Sequence, residues 1–148
     1  MLTVQYATGR AGLPHRRSIE AWLAASLTEG RMRRSTLTVT VRFVGRVEAR
    51  SLNRRFRRRD YATNVLTFVY ARSKLAVEGD IILCAPVIAT EARAQRKSPL
   101  AHYAHLVVHG ILHLEGLDHE HDEDAAVMER REKAILARLG YADPYLQR

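Results

Sequence analysis

Apolar and polar residues alternate from Thr36 to Val44, with Leu37, Val39, Val41 and Phe43 on one side. A period of two with one apolar side predicts a half-buried strand. Leu2 to Tyr6 alternates over a shorter span and predicts another. Asn64 to Tyr70 is rich in β-branched and aromatic residues, and Asp80 to Cys84 follows Gly79 as a mostly apolar run. Both predict strands, joined by a connection over residues 71–78. Elsewhere the period is helical. Pro14 to Glu29 places Ile19, Trp22, Leu23 and Leu27 on one face, with Gly30 at its end. A second helix is predicted from Val47 to about Phe56, followed by a polar loop from Arg57 to Thr63. A third covers Pro86 to Lys97. Ser98 and Pro99 then supply an N-cap and a first-turn proline for a helix to about Glu115. The last runs from Ala125 to Leu139 and stops at Gly140. Strands come mostly first and helices mostly last, without repeats or a linker. The expectation is a single α+β domain over residues 1–148, a mixed sheet of about four strands packed with helices.

Composition narrows the class. With 47% apolar and 27% charged residues, the chain reads as a soluble globular protein. No run approaches the roughly 18 apolar residues that span a bilayer, so no membrane is expected. The first residues lack the charged-then-apolar order of a secretory signal. One cysteine, Cys84, excludes an intrachain disulfide and fits a cytoplasmic protein. Its apolar neighbours make it a core residue. The net charge is +8, carried almost wholly by arginine. Seven of these (Arg46, Arg50, Arg54, Arg55, Arg57, Arg58 and Arg59) lie in one short stretch, and Arg46, Arg50 and Arg54 share a helix face. Glu120, Asp122, Glu123 and Asp124 collect elsewhere. A one-sided basic surface points to a polyanion such as nucleic acid, although a solvated helix face gives the same pattern.

The chemistry concentrates in His109-Gly-Ile-Leu-His113-Leu-Glu-Gly116-Leu-Asp-His119. His109 and His113 are four apart, hence on one helix face. Gly116 can take the left-handed conformation that ends a helix, and the returning chain brings His119 toward the same point. Three imidazoles so placed make three corners of a tetrahedron, the arrangement of a catalytic zinc site with a fourth position for water or substrate. The spacing coincides with the metzincin pattern His-Glu-x-x-His-x-x-Gly-x-x-His, except that Gly110 stands where the protease has its general-base glutamate. Glu115 and Asp118 lie on other faces. A metal is kept and peptide cleavage is weakened. His105, one turn earlier, is expected to support the ligands rather than join them. His121 is expected at the surface, and His102 and His15 have no supporting context.

Three blocks resemble the YbeY family of bacterial ribosomal-RNA maturation factors, described as metal-dependent single-strand endoribonucleases. Leu52-Asn53-Arg-Arg-Phe56-Arg57-Arg-Arg-Asp60-Tyr-Ala-Thr63-Asn64-Val65-Leu66-Thr67-Phe68 is similar to the family's Leu-Asn-x-x-Tyr-Arg-x-x-Asp-x-x-Thr-Asn-Val-Leu-Ser-Phe. Gly79-Asp80-Ile resembles its Gly-Asp-Ile strand. The third block is His105 through His119, with Gly110 inside it, and Met128, Glu132 and Leu136 to Gly140 continue the likeness. It runs from about residue 36 to about residue 140. Leu117 departs from a frequent Tyr, and Val69-Tyr70 from a frequent proline after Phe.

The resemblance implies one divalent ion, zinc by its donors, held by His109, His113 and His119, with Arg57 near it. Arg57 and His109 are then the catalytic residues. An arginine beside a metal can clamp a phosphate and offset charge that builds on its oxygens. Asp60, Thr63 and Asn64 have a structural alternative, since such residues hold turns. The implied activity is endonucleolytic cleavage of single-stranded RNA in rRNA maturation, at the 16S rRNA 3′ end, with a part in late ribosome quality control. The implied partners are rRNA of the small ribosomal subunit, with ribosomal proteins or assembly GTPases as further candidates. Two rivals remain: a zinc-dependent peptidase, and a non-catalytic RNA-binding ribosome assembly factor with a structural metal.

Overall fold

The computed structural model describes residues 1–29, 36–73, 76–117 and 122–146. Among these the chain runs β1 (Leu2–Tyr6), α1 (Arg16–Glu29), β2 (Leu37–Val44), α2 (Arg46–Arg57), β3 (Val65–Arg72), β4 (Val77–Cys84), α3 (Ala85–Ala94), α4 (Pro99–Leu114) and α5 (Asp122–Arg138). The four strands form one sheet in the order β1-β2-β4-β3. β1, β2 and β4 are parallel, and β3 runs antiparallel on β4. The expected α+β class and mixed four-stranded sheet are as observed.

The alternation read in β2 decides which side of the sheet holds the main core. Leu37, Val39, Val41 and Phe43 are all buried, in register with Val77, Gly79, Ile81 and Leu83 of β4. This face receives α1 through Ile19, Trp22 and Leu23 and α4 through Val107, Val108 and Ile111, and α5, lying against α4 and α1, adds Met128, Ile135 and Leu136 to the same core. The opposite face carries a smaller cluster, with Leu66, Ile82 and Cys84 packed beneath Ala49 and Leu52 of α2. Cys84 is wholly buried, a core residue as expected. No described helix is long and apolar enough to cross a membrane.

The β3–β4 link departs from the expected one. It was expected over residues 71–78, but both strands extend into that span and pair as far as Arg72 and Val77. Backbone pairing in a tight hairpin overrides the weak apolar signal at Ala71, Glu78 and Gly79. Several helix ends also shift. α5 begins at Asp122 rather than Ala125, because Asp122, Glu123 and Asp124 suit the positive end of the helix dipole.

The helix that matters most, α4, is fixed at both ends. Ser98 caps its start, its Oγ accepting from the Ala101 amide at 3.1 Å, with Pro99 next. At the other end Gly116 has φ +111°. Its amide donates to the His113 carbonyl at 3.0 Å, and the Leu117 amide reaches the Leu112 carbonyl at 3.4 Å. This is a Schellman ending, built on the left-handed glycine that the sequence predicted. Arg72 of β3 adds hydrogen bonds to the carbonyls of Leu114 and His113, at 3.2 and 3.3 Å. A guanidinium at a helix C-terminus opposes the dipole favourably.

Candidate active site

α4 presents His102, His105 and His109 along one line, and α5 answers with one carboxylate. Glu132 has no exposed surface at all. It occupies the apolar stripe of α5, one turn after Met128 and just before Ile135 and Leu136. A buried charge persists only when it is paired and hydrogen-bonded. Here the Nδ1 of His109 lies 2.6 Å from Oε2, the Nε2 of His105 lies 3.0 Å from Oε1, and the Tyr145 hydroxyl donates to Oε1. Burial alone would raise the Glu132 pKa, but hydrogen bonds from His105, His109 and Tyr145 together outweigh it. The carboxyl is held down at about 2. The same contact, together with burial, pushes the Tyr145 phenol up.

Because a carboxylate only accepts, the Glu132 contact places the proton of His109 on Nδ1. The lone pair is then on Nε2. A histidine whose other nitrogen is held by a carboxylate is the usual form of a metal ligand. His113 follows one turn on, half-buried, its carbonyl engaged by Gly116 and Arg72. The donors present therefore fit a divalent ion. His119, with Asp118 and His121, lies outside the described residues. Among the described residues no three His, Cys, Asp or Glu side chains are gathered to hold a metal.

Arg57 reaches the same place from the opposite side. It is the last residue of α2, where Arg58 turns left-handed at φ 59° and the chain reverses. The following loop is pinned by Asn53, a buried side chain whose Nδ2 donates to the Tyr61 carbonyl at 2.8 Å. It is also held by a two-bond Arg50–Asp60 pair, at 2.7 and 3.1 Å. Arg57 itself donates from Nη2 to the Thr67 carbonyl at 3.2 Å. Arg57, Arg59, Tyr61, His105, His109 and Tyr145 line one cavity of about 350 Å³. Residues 48 and 52 positions from Arg57 in sequence, His105 and His109, thus face it across one opening.

Several smaller expectations resolve here. Asp60 holds the loop through Arg50, which leaves Arg50 occupied on the arginine face of α2. Asn64 accepts from the Val65 amide and donates to Glu91, a structural role at the start of β3. His105, expected to support the ligands, shares the Glu132 carboxylate with His109. His102 is not without context: it is buried and bonded to Glu91 at 2.8 Å. Burial lowers its pKa, with Glu91 opposing. Glu115 is no replacement base, since its side chain is almost fully buried and paired with Arg131 at 2.8 Å. Gly110 faces the sheet. A Cβ there would sit 2.9 Å from Cδ1 of Ile81, with Cγ1 and Cγ2 at 3.1 and 3.2 Å. Any side chain at 110 would point into β4.

Three residues of the site were given no role in the sequence, although Glu132 stood within the family likeness. Glu132 was visible as an acid at a core position of an amphipathic helix, a signal that calls for a buried partner. Tyr145 and Arg72 carried no such signal.

A family model described as Endoribonuclease YbeY matches residues 11–140. Curated relatives of the same description include one from Cupriavidus necator, 54% identical over 137 residues. That alignment covers 92% of this chain and 66% of the relative. Another, from Nitrosomonas eutropha, is 49% identical over 145 residues and covers 98% of both chains. A solution structure of a Thermotoga maritima protein matches the fold with a TM-score of 0.62 at 23% identity, over 99% of this chain and 100% of that one.

Proposed function

The chain belongs to the endoribonuclease YbeY family, and on that premise we propose that it cuts single-stranded RNA in the cavity between Arg57 and His109. Membership makes it a hydrolase of RNA that acts in rRNA processing. In the proposed site His109, His113 and His119 hold one divalent ion, zinc by the all-imidazole donor set. Such an ion, when bound, supplies a Lewis acid against the phosphate and an acidified water.

The chain's own residues do the rest. The Arg57 guanidinium binds a phosphate oxygen at the cavity wall and offsets the charge that grows there during cleavage. Glu132 orients His109 and fixes its tautomer; a carboxyl held near pH 2 does not take up a proton at neutral pH. Arg59 and the exposed Arg54, Arg55 and Arg58 extend the positive surface that follows the RNA backbone. The observation that carries this reading is one cavity walled by Arg57 and His109 together.

The peptidase reading is disfavoured by the same geometry. Position 110 faces Ile81, and Glu115 is held by Arg131, so neither supplies a base to a leaving amine. We place the substrate on small-subunit rRNA at its 3′ end, in the cytoplasm, with ribosomal proteins or assembly GTPases guiding the enzyme there. The test pairs metal analysis with RNA cleavage by wild type, His113→Ala and Arg57→Ala. His113→Ala should lose metal and activity together. Arg57→Ala should keep its metal and lose about 100-fold or more in cleavage rate. Cleavage by both variants at the wild-type rate refutes the reading.

A further inference from the structure

A second pocket continues the first. It measures about 430 Å³ and shares Asn64, His105, Leu106 and Tyr145 with the cavity beside His109. Its chemistry differs. Where the first cavity carries Arg57 and Arg59, the second carries Glu91 and Lys97. The Glu91 carboxylate is held from two sides. His102, almost wholly buried, lies 2.8 Å from Oε1, and Asn64 Nδ2 donates to Oε1 at 3.0 Å and to Oε2 at 3.3 Å. Oε1 is thereby saturated. Oε2 has only the longer bond, and the side chain keeps 34% of its surface exposed.

A carboxylate in a fixed place repels phosphate, so the RNA backbone is directed to the arginine side of the shared wall. What a carboxylate accepts is N–H. In single-stranded RNA the Watson–Crick edges of the bases are free to be read. Guanine offers two adjacent donors, N1–H and N2–H, that can converge on the one open oxygen Oε2, whereas adenine and cytosine set an acceptor beside their amine and uracil flanks its one donor with two carbonyls. Tyr145 and Pro144 give the pocket an aromatic and apolar wall, and 40% of Tyr145 is exposed. Such a surface suits the π-face of a base.

Resting on the nuclease reading above, we propose that this pocket is a base-binding subsite in which Glu91, positioned by His102 and Asn64, selects guanine next to the scissile phosphate. Glu91 is a specificity residue and His102 a positioning residue.

The test uses a random-sequence single-stranded RNA library, cut by the full-length, metal-loaded protein, with both ends sequenced at each cut. Wild type should enrich guanine at one fixed position from the cut. Glu91→Gln, which turns an acceptor into an amide, should lose that preference by about tenfold. A second arm leaves the protein unchanged: inosine, lacking the 2-amino group, replaces guanine at that position in one substrate. Wild type should cut it several-fold more slowly, and Glu91→Gln should not distinguish the two. Cleavage with no positional preference, or equal cleavage of inosine and guanine by wild type, overturns the subsite and leaves the nuclease standing. No cleavage of any RNA by wild type overturns both.

Discussion

Replacing Gly110 with alanine sets two effects of known sign against each other. In an ordinary helix interior, alanine in place of glycine is favoured by about 1 kcal/mol. In α4 the added methyl would stand 2.9 Å from Ile81 Cδ1, about half an ångström inside the 3.4 Å at which ordinary contact begins. Two more carbons of the same side chain lie within 3.2 Å. Ile81 is wholly buried on a central strand and has no surface to swing toward. Overpacking of this kind costs about 1–3 kcal/mol. The expected outcome for Gly110→Ala is therefore a net loss of about 1 kcal/mol, not a gain. Urea unfolding in the presence of chelator reads it directly. Ile81→Val removes the nearest carbon at a cost of about 1 kcal/mol by itself. The double variant should then be less damaged than the two single losses together, by about 1 kcal/mol. A stabilised Gly110→Ala, or costs that simply add, would show that α4 does not lie against β4 as described.

Other outcomes follow from the buried carboxylate and the helix end. Glu132→Gln should weaken metal binding about 10–100-fold, measured by competition with a chromogenic chelator, since the amide holds His109 less firmly; unchanged affinity refutes the orienting role. The same carboxyl has a folded pKa of about 2 against an ordinary 4.5. Its stabilising contribution is complete above 4.5 and is lost as pH falls toward 2. Acid titration should accordingly show the metal-free wild type losing its advantage over Glu132→Gln within that window. Gly116→Ala, at φ +111°, should cost about 1–3 kcal/mol in thermal unfolding, and an unaltered midpoint would contradict the left-handed ending.

What the sequence disclosed depended on how local each signal was. The β2 alternation, the Ser98-Pro99 start and the Gly116 ending are written within a few residues, and each appears in the fold where it was expected. The His109–His113 pair is equally local, being one helical turn. Residues whose meaning lies in a distant partner stayed hidden. Glu132 gains its role from histidines on another helix, His102 from Glu91 on the helix before, and Arg72 from carbonyls at the end of α4. Gly110 was legible as a missing base but not as a contact, because its cause is Ile81 on a strand some thirty residues away. The likeness of the Arg57 block supplied the one long-range link that periodicity could not.

The strand registers also order the events of folding. β3 and β4 meet across a short link, with Arg72 paired to Val77. The parallel pairings must instead join Leu37 to Val77 and Leu2 to Val39 across whole intervening elements. Closing a loop costs more entropy as its length grows, and non-local pairings are correspondingly slow. The hairpin is thus the cheapest part of the sheet to form, and α4 rests on both of its strands. The platform beneath the histidines can assemble early, while the β1–β2 side closes late. Substitutions in the hairpin should slow refolding, whereas those in β1 should chiefly hasten unfolding.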